Sequence, residues 1–521
     1  MQGGSVKNIT IIGGGSAGWM TAAYLSKKNP DIHITLIEAS DVPVIGVGEA
    51  TIAHLSRFLF TLGLKDKDWM PHCNGAYKYG IKFDNWHNIG DEYWHPFEAL
   101  PYYNSKTNLA TYWWYDRYKY NRKSSRESLY TDCFFSTEIL KQNKIPRVPG
   151  AQDYSDNFNV KAGQDHVPVR VAYAYHFDAG LFGEYLKNHL AKPAGVDHII
   201  DNITDIERAE DGNISALNTK NGLTLEADLF IDCSGFRSVL IGAALDEKFI
   251  SFSDTLFCNK AMAMQIPYEN IETELQPYTT ASAISHGWVW NTPLTSRRGT
   301  GYVYCDNFVD QDTAEQDYRA FLGEKRVEAF DVRHIDIRVG KYKNTWVKNC
   351  VAIGLSSGFI EPLESTGLHF IHVAVEKLSV ALEGGFYNAG DRLAFNRYMT
   401  LSMEEARDML SIHYSLTNRE DTDFWKAVKY DTKMSDSIAD LLMLSKHRFP
   451  NDKQGYIFGN NSWICVLNGM NYMPSSDPFL NIQPAEVQKQ MGLIKAYTAL
   501  RKKVGHQFPN HYEYLTKQFF K

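Results

Sequence analysis

Three clusters of residues have the types and spacing to do chemistry. The first is Gly13, Gly15 and Gly18, with Ser16 and Ala17 between them and Glu38 twenty residues beyond Gly18. Glycines so placed let a backbone turn approach a pyrophosphate. The N–H groups that open the following helix face its charge, and a carboxylate at that distance accepts from ribose hydroxyls. The second is Glu364-Ser365-Thr366-Gly367, just before the apolar run Leu368-His369-Phe370-Ile371. Ser365 or Thr366 is suited to cap a helix there, and N–H groups left unbonded can hold an anion such as a halide. The same residues also fit an ordinary cap with Glu364 just outside the helix. The third is the pair Lys78 and Lys82 within Ala76-Tyr77-Lys78-Tyr79-Gly80-Ile81-Lys82-Phe83. Strand alternation puts both on one face, so periodicity does not choose which is the working amine. Burial favours the neutral, nucleophilic form of such a lysine, and a nearby carboxylate favours ammonium.

The elements that position these residues follow from periodicity. Ile9 to Ile12 reads as a strand, Gly13 to Gly18 as a turn, the run to Leu25 as a helix, and Ile32 to Ile37 as a second strand ending at Glu38, which is a βαβ unit. Between about residues 150 and 350 the pattern favours short strands, such as Ile203-Thr204-Asp205-Ile206, Trp288-Val289-Trp290 and Tyr302-Val303-Tyr304. From Gly367 onward it favours helices, including Met403 to Leu416. Leu229-Phe230-Ile231-Asp232-Cys233-Ser234-Gly235 and Val351-Ala352-Ile353-Gly354 resemble the strand-to-glycine turns of two-dinucleotide-fold flavoproteins of the aromatic hydroxylase type, which favours FAD over NAD. Those hydroxylases carry Gly-Asp at the second turn, where this chain has Gly354-Leu355. The expected fold is therefore α/β: a flavoprotein body with a large mixed β-sheet over residues 1–395, then a mostly helical, substrate-side subdomain over 396–521. Residues 99–165 are polar and Tyr-rich, a long functional loop or a surface insertion.

Composition narrows the function classes. A net charge of -7 without a dense basic block argues against nucleic acid as a partner. Seven cysteines lie far apart with no CxxC pair, so no metal site is expected and reduced thiols of a cytoplasmic protein are. No stretch approaches 18 uninterrupted apolar residues, and Met1-Gln2-Gly3-Gly4-Ser5 lacks the make-up of a signal peptide, so no membrane segment is expected. The 11 Trp and 30 Tyr fit either an aromatic-lined pocket or aromatic core packing.

Further segments carry a specific resemblance. They are Gly46-Val47-Gly48-Glu49-Ala50-Thr51, Asp68-Trp69-Met70-Pro71, Asn74-Gly75-Ala76-Tyr77-Lys78, His176-Phe177-Asp178-Ala179, Gly287-Trp288-Val289-Trp290-Asn291-Thr292-Pro293, and Gly354 through Glu361-Pro362-Leu363-Glu364-Ser365-Thr366-Gly367. From about residue 6 to 420 the chain resembles the flavin-dependent tryptophan halogenases, with Thr292 where their WxWxIP signature has Ile. The resemblance implies that FADH2 from a separate flavin reductase, with O2, oxidises chloride or bromide to hypohalous acid, which a lysine matching Lys78 delivers to an aromatic ring. It implies FAD contacts at Gly13, Gly15, Ser16, Ala17, Gly18, Glu38, Ala39, Ala50, Ile203, Leu355 and Leu368. Halide belongs at Thr366 and Gly367, and a carboxylate toward the substrate at Glu364, beside Ser365. His95 and Phe97 match residues that sandwich the ring, and Trp288 and Trp290 match rings that block it from the flavin. The alternation of these two Trp also fits plain sheet packing. A homodimer is compatible with the family.

Residues 446–474 are shorter than the lid with which tryptophan halogenases hold the amino acid's ammonium and carboxylate, and the Tyr-Tyr and Glu anchors have no counterpart there. The pattern is closer to shorter-lidded members that accept indole or other aromatics. Two other functions fit the cofactor motif alone: a flavin-dependent aromatic monooxygenase and a non-catalytic FAD-binding protein.

Overall fold

The structure is a computed structural model that describes residues 4–40, 48–100, 108–119, 128–147, 155–162, 165–450, 455–475 and 483–519. Gly46, Val47 and the first three residues lie outside that set, as do parts of 99–165 and of 446–474. The chain groups into two compact units that interleave along the sequence: residues 1–75, 177–253 and 336–406 form one, and residues 76–176, 254–335 and 407–521 the other. This grouping differs from the sequential division at 395/396, because the chain leaves the first unit twice and returns.

The first unit is built on the expected βαβ element. Strand β1 (Asn8–Ile12) and strand β2 (His33–Glu38) pair in parallel, joined by helix α1 (Ser16–Lys28). Strands Asp197–Ile200 and Leu229–Asp232 extend the sheet in parallel on either side, followed by Cys350–Ala352 and the antiparallel Trp346–Val347, six strands in all. Ile9, Ile11, Leu36, Phe230 and Ile231 are fully buried, as expected of parallel strands covered on both faces. Helix α2 (Gly367–Ala381) is buried along most of its length.

In the second unit, β3 (Ala76–Lys78), β4 (Gly80–Asp84) and β5 (Glu92–Pro96) come from one stretch of chain. β3 pairs antiparallel with β6 (Ala174–Phe177). β4 lies instead in a seven-stranded mixed sheet, between β5 and β7 (Thr279–Ile284), with β8 (Gly287–Pro293) and β9 (Arg298–Tyr304) beyond. Met262, Val289, Tyr302 and Tyr318 form a core under this sheet. The chain end is helical, with α3 (Asn460–Gly469), α4 (Pro484–Val504) and α5 (His511–Phe519).

Candidate active site

The glycine turn is shaped by close approaches that no other residue allows. A Cβ on Gly13, whose φ is +111°, would lie 2.3 Å from the Cys233 carbonyl oxygen, and one on Gly18 1.9 Å from the Gly13 oxygen. Gly15 has nothing within 4 Å of its would-be Cβ, so the turn is open on that side. α1 begins without a side-chain cap or an acidic residue in its first turn, so its leading N–H groups remain available to an anion. Gly13 to Ala17, Glu38 and Ala39 are all partly exposed. Glu38 Oε1 accepts from His198 Nε2 at 2.6 Å, while Oε2 lies directly over Gly14. These residues fit a dinucleotide such as FAD. His198 has no motif signal, since it reaches the site from the edge strand.

The remaining flavin-side candidates lie in the same unit. The turn that carries Leu355 packs on α1 through Gly354 (φ +78°), whose would-be Cβ lies 2.8 Å from Ala17 Cβ. Leu368 is buried in the first turn of α2. Ala50 and Ile203 are partly exposed, each at the end of a short strand. Beside Ala50, burial and then Asp178 push the Glu49 carboxyl up to about 7.

The turn before α2 corrects one expectation. Ser365 is left-handed (φ 59°), and Thr366 stands at the N-cap with φ -90° and ψ -5° but no side-chain cap bond. Thr366 does not cap the helix with its side chain, because its helical angles carry the hydroxyl away from the N–H groups ahead. Glu364, Ser365 and Thr366 are buried, whereas Gly367 is exposed. The helix thus opens with uncapped N–H groups at an accessible glycine, an arrangement that suits a halide.

The two lysines are also separated, against the alternation expected of one strand. Tyr79 breaks the run: its N–H donates to the Pro277 carbonyl, and its own carbonyl accepts from Phe97 N. Lys78 and Lys82 therefore lie in different sheets. Lys82 pairs with Asp84 at 3.0 Å and Glu92 at 3.1 Å. Lys78 is fully buried, and its Nζ lies 5.2 Å from the Phe97 ring centre. His95 and Phe97 have ring centres 6.2 Å apart, and Phe458 comes within 6.5 Å of His95. Phe458 was not singled out from the sequence, because its contact is made only by the fold.

Two buried histidines hold the lysine strand. His511 Nε2 accepts the Tyr77 N–H at 3.1 Å and its Nδ1 donates to the Leu275 carbonyl at 3.0 Å, and burial brings its pKa down to about 4. His176, on the strand paired with β3, bonds Thr279 Oγ1 at 2.8 Å; burial and then Lys78 hold it well below the usual imidazole range. On β8, Trp288 and Trp290 are buried with ring centres 6.2 Å apart. The Trp290 ring lies flat across Gly301, where a Cβ would come within 2.0 Å of it.

The sequence profile named Tryptophan halogenase matches residues 8–485, further along the chain than the 6–420 read from motifs. The chain belongs to the tryptophan halogenase family. The 7-chloro-L-tryptophan 6-halogenase of Kutzneria sp. (strain 744) is 34% identical over 98% of this chain and 99% of its own. The tryptophan 7-halogenase of Lentzea aerocolonigenes is 33% identical over 99% of both. The solved tryptophan 6-halogenase of Streptomyces toxytricini superposes with a TM-score of 0.87 at 33% identity, covering 98% of this chain and 99% of that one. This halogenase is thus a flavin-dependent enzyme using FADH2 and halide, with the fold of its relatives. Among the described residues no helix is long and apolar enough to cross a membrane.

The candidate residues fall into two groups. One unit brings together Gly13–Gly18, Glu38, Ala39, Ala50, Ile203, Leu355 and Glu364–Leu368; the other brings together Lys78, His95, Phe97, Trp288 and Trp290.

Proposed function

We propose that this halogenase chlorinates or brominates an indole ring, as tryptophan or as indole, and that Lys78 delivers the halogen. The observation that carries this is a fully buried lysine beside an aromatic ring, while its neighbour Lys82 is held by two carboxylates. Lysines are rarely buried whole, and a buried amine is suited to holding a reactive halogen away from water. FADH2 from a separate flavin reductase supplies the electrons that, with O2, convert halide to hypohalous acid. Thr366 and Gly367 hold the halide on the uncapped N–H groups of α2. Lys78 takes up hypohalous acid, as a hydrogen-bonded partner or as a haloamine whose formation breaks the oxygen–halogen bond and releases water. His95 and Phe97 hold the ring, Glu364 stabilises its cationic intermediate and removes the proton, and Trp288 and Trp290 keep the ring from the flavin.

Curated relatives named for tryptophan or chlorotryptophan support the indole class. The short 446–474 segment favours indole or a smaller aromatic over the free amino acid. Tryptophan, indole and a phenol compared by mass spectrometry, with a reductase and either halide, separate these readings. A phenol as the only halogenated product contradicts the indole assignment.

A further inference from the structure

Beyond Thr366 and Gly367, α2 carries three polar side chains that the chemistry above does not use: His369, His372 and Glu376. Spacings of three and four place them in a row on one helix face, and all are buried, at 3%, 2% and 8% exposure. His369 Nδ1 and His372 Nε2 are 3.2 Å apart, within hydrogen-bond distance. His372 Nδ1 stands 3.4 Å from Glu376 Oε1, and Glu376 Oε2 stands 3.5 Å from Arg57 Nε. The Arg57 side chain is 80% exposed. The row therefore runs from the first turn of α2 to solvent. The other titratable groups facing it are Tyr24 of α1 and the exposed His54, whose ring centre is 5.2 Å from that of His369.

Burying such groups on an apolar helix is costly unless they are satisfied. Yet among the described residues His369 Nε2 has no hydrogen-bond partner, and His372 Nδ1 and Glu376 Oε1 face each other as an ion pair without a formed hydrogen bond. Groups serving packing alone would be saturated; His369 keeps an open ring nitrogen, and the His372–Glu376 contact an unformed hydrogen bond, that a passing proton can use. Burial, and then His372 and His54, hold His369 well below the ordinary imidazole range, so it hands a proton on rather than keeping it.

The reaction consumes a proton. FADH2, O2, a halide ion and one proton yield FAD, hypohalous acid and one water: O2 gains four electrons, two from FADH2 and two from the halide. We propose that Glu376, His372 and His369 form a buried relay that brings this proton from the surface at Arg57 to the first turn of α2. The proposal rests on the halogenase reaction and not on which ring is the substrate.

The test uses the full-length protein with nitrogen-labelled histidine. Without cofactor, the wild type should show a slowly exchanging ring N–H resonance coupled to nitrogens of both His369 and His372, and His372→Phe should lose it. With reductase, FAD, O2 and bromide, a chemical trap for hypohalous acid replaces the aromatic substrate, so a wrong choice of ring cannot mimic a failed relay. Glu376→Gln, which keeps the volume and removes the proton acceptor, should slow trapping by about tenfold or more. Its rate should fall more steeply than wild type as pH rises, while FAD affinity is unchanged. Wild-type trapping rate and pH profile in this variant, or absence of the shared resonance from the wild type, overturns the relay.

Discussion

Lys78 is the residue on which the proposed chemistry turns. Lys78→Ala should lose halogenated product by about a hundredfold or more while FAD binding persists, an effect within the range for a single positioned group. Lys82→Met should keep activity, with its cost appearing as a small drop in melting temperature from two lost ion pairs. Glu364→Gln, read as kcat for ring halogenation, should fall by about 10²–10⁴-fold, the usual worth of a general base. Trapped hypohalous acid should be unaffected in that variant. The choice between the lysines was not legible from alternation, because the break at Tyr79 depends on pairing with distant segments. Resemblance selected Lys78, which is the buried one of the two. Phe458 was invisible for the same reason, being brought to His95 only by the fold.

At the scale of elements, local geometry was legible and long-range anchoring was not. The glycine turn could be read because its demands are local: Gly18→Ala should place a methyl against the Gly13 carbonyl and abolish FAD binding, as measured by flavin fluorescence. The capping expectation failed at Thr366 because its helical angles, which follow a left-handed Ser365, are set by the backbone and not by residue type. His511 is a distant anchor, joining α5 to the backbone at Tyr77, the residue before Lys78. Its folded pKa, about 4, lies below the unfolded value near 6.5. The unfolded chain therefore binds the proton first as pH falls, and the stability present above about 6.5 is lost between there and about 4, by about 3 kcal/mol. His511→Phe should flatten that part of a melting-temperature profile. It should also destabilise the protein at neutral pH by about 1–3 kcal/mol, because the Tyr77 N–H loses its acceptor.

At the scale of the molecule, the order of element types was legible: α/β first, short strands in the middle, helices at the end. The grouping was not, since units assembled from three separated segments each depend on contacts that sequence distance hides. FAD supplied at about a hundredfold its Kd should add about 2.7 kcal/mol of stability, seen as a rise in melting temperature, and removing it should reverse the gain. The central claim, that this family member passes halogen to an indole through Lys78, is tested most directly by mass spectrometry. Wild type and Lys78→Ala are each run with reductase, FAD, O2 and bromide on tryptophan and indole. The account predicts a singly brominated indole product from the wild type and none from Lys78→Ala, with flavin oxidation intact in both. A hydroxylated product, or equal bromination by the variant, would contradict it.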